Sequence, residues 1–179
     1  MINIMLDLET MGTDPNSAIV AIGAVAFEFD KSGFLDQFYK KVTLASSVNN
    51  GGIMSPSTVL WWMNQSQSAR EEIVSANTDI EYALKCFTIW AEGLREASSG
   101  NKLQMWGNGS DFDNVILHSA YRHANMAAPW QFWENRCYRT MAAMHTSTKL
   151  VRKGTHHNAL DDARSQAEHL MRIMKENFL

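Results

Sequence analysis

The sequence predicts an α/β fold: a mixed β-sheet, an antiparallel meander plus parallel strands, flanked by α-helices. Two observations predict it. Up to Leu44 the chain carries apolar runs of strand length separated by turn residues. From Ser55 onward, segments with helical apolar spacing alternate with short apolar runs. The 179 residues are enough to bury a full core, and no repeat, low-complexity segment or linker divides them. One domain, residues 1–179, is expected.

Met1 to Leu6 is a mostly apolar run that leads into Asp7-Leu8-Glu9-Thr10. The polar turn Gly12-Thr13-Asp14-Pro15-Asn16 separates it from the apolar run Ile19 to Phe27. Asp30-Lys31-Ser32-Gly33 is a hairpin signal, and Phe34 to Leu44 is the return strand. Ser46 to Gly52 reads as a small-residue loop. Ser55 caps a helix that has Pro56 at its first position and carries Trp61-Trp62. Ser66 to Asn77 forms a second short helix. Asp79 caps a longer one, with Ile80, Ala83, Leu84, Phe87, Trp90, Ala91 and Leu94 on one face. Ser98-Ser99-Gly100-Asn101 ends it. Leu103 to Trp106 is a short strand running into Gly107-Asn108-Gly109-Ser110, and Asp111 to His123 is helical. Trp130 to Cys137 holds another short strand and Arg139 to Met144 a helical turn. Val151 to His156 is a basic, glycine-containing loop before the last helix, Ala159 to Phe178.

The bulk numbers narrow the function classes. Hydrophobic and charged fractions of 45% and 20% are those of an ordinary soluble protein. A net charge of -3 argues against a sequence-independent nucleic-acid binder built on a basic surface. It leaves room for an enzyme that grips a few nucleotides with local or metal charge. Cys86 and Cys137 stand far apart and outside any metal-ligand spacing, so both are expected reduced and buried. No secretory signal and no membrane-spanning run is visible, so a cytoplasmic protein with no membrane partner is expected.

Three segments hold acids that the core pattern does not explain. Asp7 and Glu9 alternate along a strand and therefore face the same way. Two carboxylates on one buried face repel and are costly to desolvate unless a cation neutralises them. Asp113 sits in the first turn of a helix just after a strand, and Asp162 in the first turn of the last helix. Each acid there has a plainer reading as a complement to the helix dipole. Together they fall where strand ends and helix starts meet at a sheet edge. Four such carboxylates would bind two divalent cations about 3.5–4 Å apart, an arrangement suited to phosphodiester hydrolysis. Oxygen-only ligands favour Mg²⁺ or Mn²⁺. A nearby His can accept the proton of the attacking water.

Asp7-Leu8-Glu9-Thr10, Phe112-Asp113 followed by Leu117, and His157-Asn158-Ala159-Leu160-Asp161-Asp162-Ala163 resemble the three motifs of the DEDDh exonuclease superfamily, in the family's order. These are 3′→5′ exonucleases related to the proofreading subunit of bacterial DNA polymerase III. The resemblance implies a ribonuclease H-like fold, two Mg²⁺ or Mn²⁺ ions per site, and release of nucleoside 5′-monophosphates. It implies that Asp7 bridges both ions, that Glu9 and Asp162 hold the one activating water, and that Asp113 supports the other. His157 would be the general base, five residues before Asp162 as the family places it. His156 and Asp161 have the same spacing, an alternative register.

Thr58-Val59-Leu60-Trp61-Trp62-Met63-Asn64-Gln65-Ser66 resembles an element of phage-type exonucleases akin to T4 exonuclease A and the exodeoxyribonuclease VIII-like group. A related branch contains RNase AS, an exoribonuclease. The expected partner is a single-stranded DNA or RNA 3′ end, with DNA favoured by the phage-type resemblance. Trp61 or Trp62 would stack on the terminal base, and Trp62 is taken as the contact. Met11 would wedge against that base, with Thr10 and Gly12 beside it. Asn108 and Ser110 would bond phosphate or sugar, and Arg152 and Lys153 would grip phosphate. The rivals are an exoribonuclease and a non-catalytic nucleic-acid-binding or polymerase-partner protein of the same fold. The sequence gives no oligomeric state; a dimer is compatible with it.

Overall fold

The computed structural model describes residues 1–98, 102–109 and 111–178. Strands β1 (Ile2–Thr10), β2 (Ile19–Phe27), β3 (Asp36–Lys41), β4 (Leu103–Gly107) and β5 (Asn135–Cys137) form one sheet in the order β3-β2-β1-β4-β5. The first three strands pair antiparallel, and β4 and β5 add in parallel on the other side of β1. This is the expected mixed sheet. The helices are α1 (Leu44–Asn49), α2 (Pro56–Met63), α3 (Gln67–Val74), α4 (Ile80–Ala97), α5 (Asp113–His123), α6 (Tyr138–Met144) and α7 (Ala159–Asn177). A 3₁₀ turn, Phe132–Glu134, precedes β5.

Strand alternation divides β1 between two cores. Ile2, Ile4, Leu6 and Leu8 join Ile80, Leu84 and Phe87 of α4 and Ile116, Leu117 and Tyr121 of α5. Met5, on the opposite face, packs with Trp106, Tyr138 and the α7 residues Ala163, Ala167 and Leu170. Asp7 and Glu9 continue this second face beyond the point where its apolar packing ends. A third, smaller cluster joins Met11, Ala18 and Val20 to Trp62 of α2 and Ala69 of α3. Gly23, the register partner of Asp7, lies directly under α7. A Cβ there would stand 2.3 Å from the carbonyl carbon of Ala159, so glycine is what lets the start of α7 approach the sheet.

Three expectations change. Ser46 to Gly52 is not wholly loop, because α1 occupies Leu44–Asn49. Serine favours loops by competing with the helix for backbone hydrogen bonds. Here Ser47 Oγ accepts the Ile19 N–H at 2.7 Å and Ser46 Oγ the Ile80 N–H at 3.0 Å, so tertiary donors occupy both hydroxyls. The return strand is shorter than Phe34 to Leu44, starting at Asp36 and ending at Lys41. Helix α4 ends at Ala97, while Ser99, Gly100 and Asn101 lie outside the described residues. Cys86 and Cys137 are unpaired but only half-buried. No described helix is long and apolar enough to cross a membrane.

Candidate active site

The sheet and α7 bring three of the four predicted acids together. Asp7, Glu9 and Asp162 each offer an oxygen, and these lie within 4.8 Å of one another. Asp162 reaches them from the first turn of α7, which Asn158 caps by accepting the Leu160 and Asp161 N–H groups. Asp113, at the start of α5, stands behind this trio. One of its oxygens accepts the Leu8 N–H at 3.1 Å and the other the Asn108 N–H at 2.8 Å. It thereby ties β1 to the end of β4.

Burial of like charges dominates the electrostatics. Asp7 is held well above the usual carboxylate range, first by desolvation and then by Asp113, Glu9 and Asp162. Glu9, 8% exposed, is pushed up to about 8 by burial and then by Asp162 and Asp113. Burial raises Asp113 to about 6 against the pull of the Asn108 and Leu8 amides. Two cationic or polar groups offset part of this charge. Arg152 donates to Asp162 Oδ1 at 2.6 Å, and Gln166 donates from Nε2 to Asp7 Oδ1 at 2.7 Å. Gln166 lies one helical turn after Asp162, on the same face of α7. Sequence reasoning missed it, although that spacing from a motif acid was the available signal. Its Oε1 is buried without a partner among the described residues.

His157 adopts φ 64, a left-handed conformation uncommon outside glycine. Its N–H donates to Asp162 Oδ2 at 3.0 Å, which holds the turn in place. The ring meets Trp61 edge-on at 4.8 Å and stacks against His156 at 3.8 Å. Burial, then His156, lowers the imidazole below its ordinary value, with Asp162 pulling the other way. In the alternative register, Asp161 accepts the Thr155 N–H at 2.9 Å and the Arg164 guanidinium at 3.0 Å, and it does not line the cavity described below. A second contact set that sequence reasoning missed anchors this turn from below. Asn158 Nδ2 donates to Tyr39 Oη at 3.1 Å and to Glu72 at 3.0 Å, and Lys41 also donates to Glu72 at 3.0 Å.

These residues open into a cavity of about 490 Å³ lined by Asp7, Glu9, His157 and Asp162 together with Thr10, Gly12, Asn108, Arg152, Gln166, Ser57, Thr58, Trp61 and Trp62. The predicted contacts divide accordingly. Trp62 lines the wall but is 4% exposed, and its indole N–H is committed to the Thr10 carbonyl at 2.9 Å. Trp61, 42% exposed, is the ring that faces outward, which corrects the choice of Trp62 as the stacking surface. Met11 is a core residue of the third cluster, its N–H bonded to the Ala18 carbonyl, and it does not line the cavity. The Thr10 hydroxyl donates to the Gly12 carbonyl at 2.6 Å. Lys153 pairs with Glu168 at 2.7 Å and does not line the cavity. Arg152 remains at the cavity, paired with Asp162. Ser110 lies outside the described residues.

A family model described as the 3′-5′ exoribonuclease Rv2179c-like domain matches residues 2–174. An exodeoxyribonuclease of Enterobacteria phage T4 is 24% identical over 161 residues, spanning 78% of this chain and 70% of that protein. Among solved structures, the nuclease domain of 3′hExo, a DEDDh family member bound to rAMP, superposes with a TM-score of 0.65 at 16% identity. That match covers 98% of this chain and 92% of the other. E. coli Exonuclease I in complex with a dT13 oligonucleotide superposes with a TM-score of 0.59 at 14% identity, covering 97% of this chain but 41% of the larger protein. These likenesses bear out the expected ribonuclease H-like fold.

Proposed function

This chain belongs to the Rv2179c-like 3′-5′ exoribonuclease domain family, and on that premise we propose that its cavity hydrolyses the terminal phosphodiester of single-stranded 3′ ends to release nucleoside 5′-monophosphates. The chain is a 3′-5′ exonuclease of the DEDDh kind. The observation that carries the finer reading is the convergence of Asp7, Glu9 and Asp162 within 4.8 Å beside His157.

The donor set fits divalent metal. It is all oxygen, Glu9 and Asp162 are buried with Asp7 half-buried, and burial with the neighbouring acids holds protons on Asp7 and Glu9. Such a set prefers Mg²⁺ or Mn²⁺. Asp7, Glu9 and Asp162 would hold two ions, with Asp113 fixing the strand that carries Asp7. When bound, the ions supply Lewis acidity at the scissile phosphate and offset charge on the leaving oxygen. His157, kept neutral by its setting, accepts the proton of the attacking water. Asp162 holds the His157 backbone, so the base and a metal ligand move together. Gln166 aims Asp7. Trp61 offers its exposed face to the terminal base, and Arg152 reaches a phosphate once it leaves Asp162.

The extent of the family match makes RNA the first substrate to test. DNA, favoured by the motif resemblance and by the phage relative, is the second reading. Matched, 5′-labelled single-stranded RNA and DNA should both be tried with Mg²⁺ and with Mn²⁺. The expected result is stepwise shortening from the 3′ end, faster on RNA. Faster loss of DNA would move the assignment to the second reading. Intact oligomers under all four conditions would sink the catalytic reading and favour a binding protein.

A further inference from the structure

We propose that His156, His157 and Asp162 form a second, nitrogen-bearing metal site that captures Zn²⁺ or a similar borderline cation. One ring nitrogen from each histidine and one oxygen of Asp162 lie within 4.8 Å of one another. This donor set is chemically distinct from the all-oxygen group of Asp7, Glu9 and Asp162, although both share Asp162. Imidazole donors select Zn²⁺, Co²⁺ or Ni²⁺, whereas carboxylates and water suit Mg²⁺ and Mn²⁺.

The geometry is within reach of a tetrahedral ion. Zinc bonds of about 2.0–2.1 Å put neighbouring donor atoms roughly 3.4 Å apart. The three donors therefore need to close from within 4.8 Å by about an ångström. The two ring centroids lie 3.8 Å apart with the planes at 32°, a near-stacked pose whose in-plane lone pairs run side by side, so one ring must turn before both reach one ion. His156 is exposed, so its ring turns toward the shared point without disturbing the core. His157 is steadied by Trp61 and by its N–H bond to Asp162 Oδ2. Arg152 now holds Asp162 Oδ1, and an ion bound to that oxygen takes its place. A fourth position stays open to water, since the group faces the cavity. His156 has no part in the catalytic pair, which needs only His157 and Asp162.

An ion held there occupies the nitrogen lone pair that His157 needs as a proton acceptor. Zinc therefore blocks cleavage even when Mg²⁺ fills the carboxylate group. That consequence rests on the exonuclease reading, whereas the site itself does not.

Equilibrium dialysis of Zn²⁺ and visible absorption with Co²⁺, on the full chain in excess Mg²⁺, test the site directly. The intact chain should retain one Zn²⁺ and give a Co²⁺ spectrum typical of low-coordinate nitrogen ligation. His156→Ala should weaken Zn²⁺ binding by at least about tenfold. The Zn²⁺ concentration that halves Mg²⁺-supported cleavage should rise equally, each variant being measured against its own zinc-free rate. His156→Gln keeps the bulk without the ring nitrogens and should behave as His156→Ala does. Unchanged Zn²⁺ affinity in His156→Ala would overturn the proposal, because the ion would then be held without His156. Retention of zinc by His156→Gln would also overturn it, because packing, not ligation, would be responsible.

Discussion

Gln166 shows what the motif residues need around them. Asp7 carries one of its oxygens toward Glu9 and Asp162 and would rotate away from their charge if nothing opposed it. The Gln166 amide, 2.7 Å from Asp7 Oδ1, opposes it, with the other end of the same amide left buried and unbonded. Such supporting contacts commonly govern metal affinity by about 10–100-fold. Gln166→Leu should therefore raise the Mg²⁺ or Mn²⁺ concentration needed for half-maximal cleavage by about 10–100-fold. It should leave the metal-free melting temperature nearly unchanged, since leucine also removes an unsatisfied buried oxygen. A metal titration of the cleavage rate, run beside a thermal melt, separates this outcome from a loss of fold. At the same scale, the left-handed backbone of His157 is a local strain retained beside the candidate site. Trp61 and Trp62 illustrate a neighbour effect. They are adjacent in the chain, yet one indole is locked to the Thr10 carbonyl and the other faces outward.

Among the elements, α7 and β2 decide whether the site exists. Asp162 reaches Asp7 only because the first turn of α7 lies almost on the β2 backbone. Gly23 makes that approach possible, for a Cβ would come within 2.4 Å of Ala159 and Leu160 backbone atoms. Backbone cannot yield as a side-chain tip can. Gly23→Ala should destabilise the chain by about 1–3 kcal/mol, the usual cost of overpacking. It should also cut cleavage severely in the folded fraction, because α7 must shift away from Asp7. Denaturant unfolding with a parallel rate measurement checks both, and an unchanged rate in folded protein would show that the approach is not needed. The Asn158 cap adds the second restraint, since its bonds to Tyr39 and Glu72 tie α7 to β3 and α3.

Across the whole molecule, the cost of gathering the acids sets how stability responds to pH and metal. Glu9 has its ordinary value near 4.5 when unfolded and is pushed up to about 8 when folded, and Asp7 shifts the same way. A raised acid contributes stability that is complete below its unfolded value and is lost as pH rises through its folded value. Between pH 7 and 9, above the titration of His157, the metal-free melting temperature should fall. Saturating Mg²⁺ should suppress that fall, because ions that bind only the folded state offset the charge. Glu9→Gln should reduce the fall without metal. Thermal melts across that range are the check, and a flat metal-free profile would contradict the charge argument.

The order and spacing of Asp7, Glu9, Asp113, His157 and Asp162 were legible in the sequence, since strand alternation and helix-start positions follow from local backbone geometry. The meander, the parallel addition and most helices were legible for the same reason. Helix α1 was not, because its serines became helical only through hydrogen bonds to Ile19 and Ile80, distant in the chain. The sequence by itself determined which residue types stand ready for the candidate site: four acids and a histidine in a fixed order. Tertiary structure alone decided which residues share it. It turned Trp61 outward and Trp62 inward, sent Lys153 to Glu168 and brought Gln166 to Asp7. Those outcomes depend on which backbones come close enough to satisfy a buried polar group. Closeness of that kind, made possible at Gly23, belongs to the packed sheet and helix together.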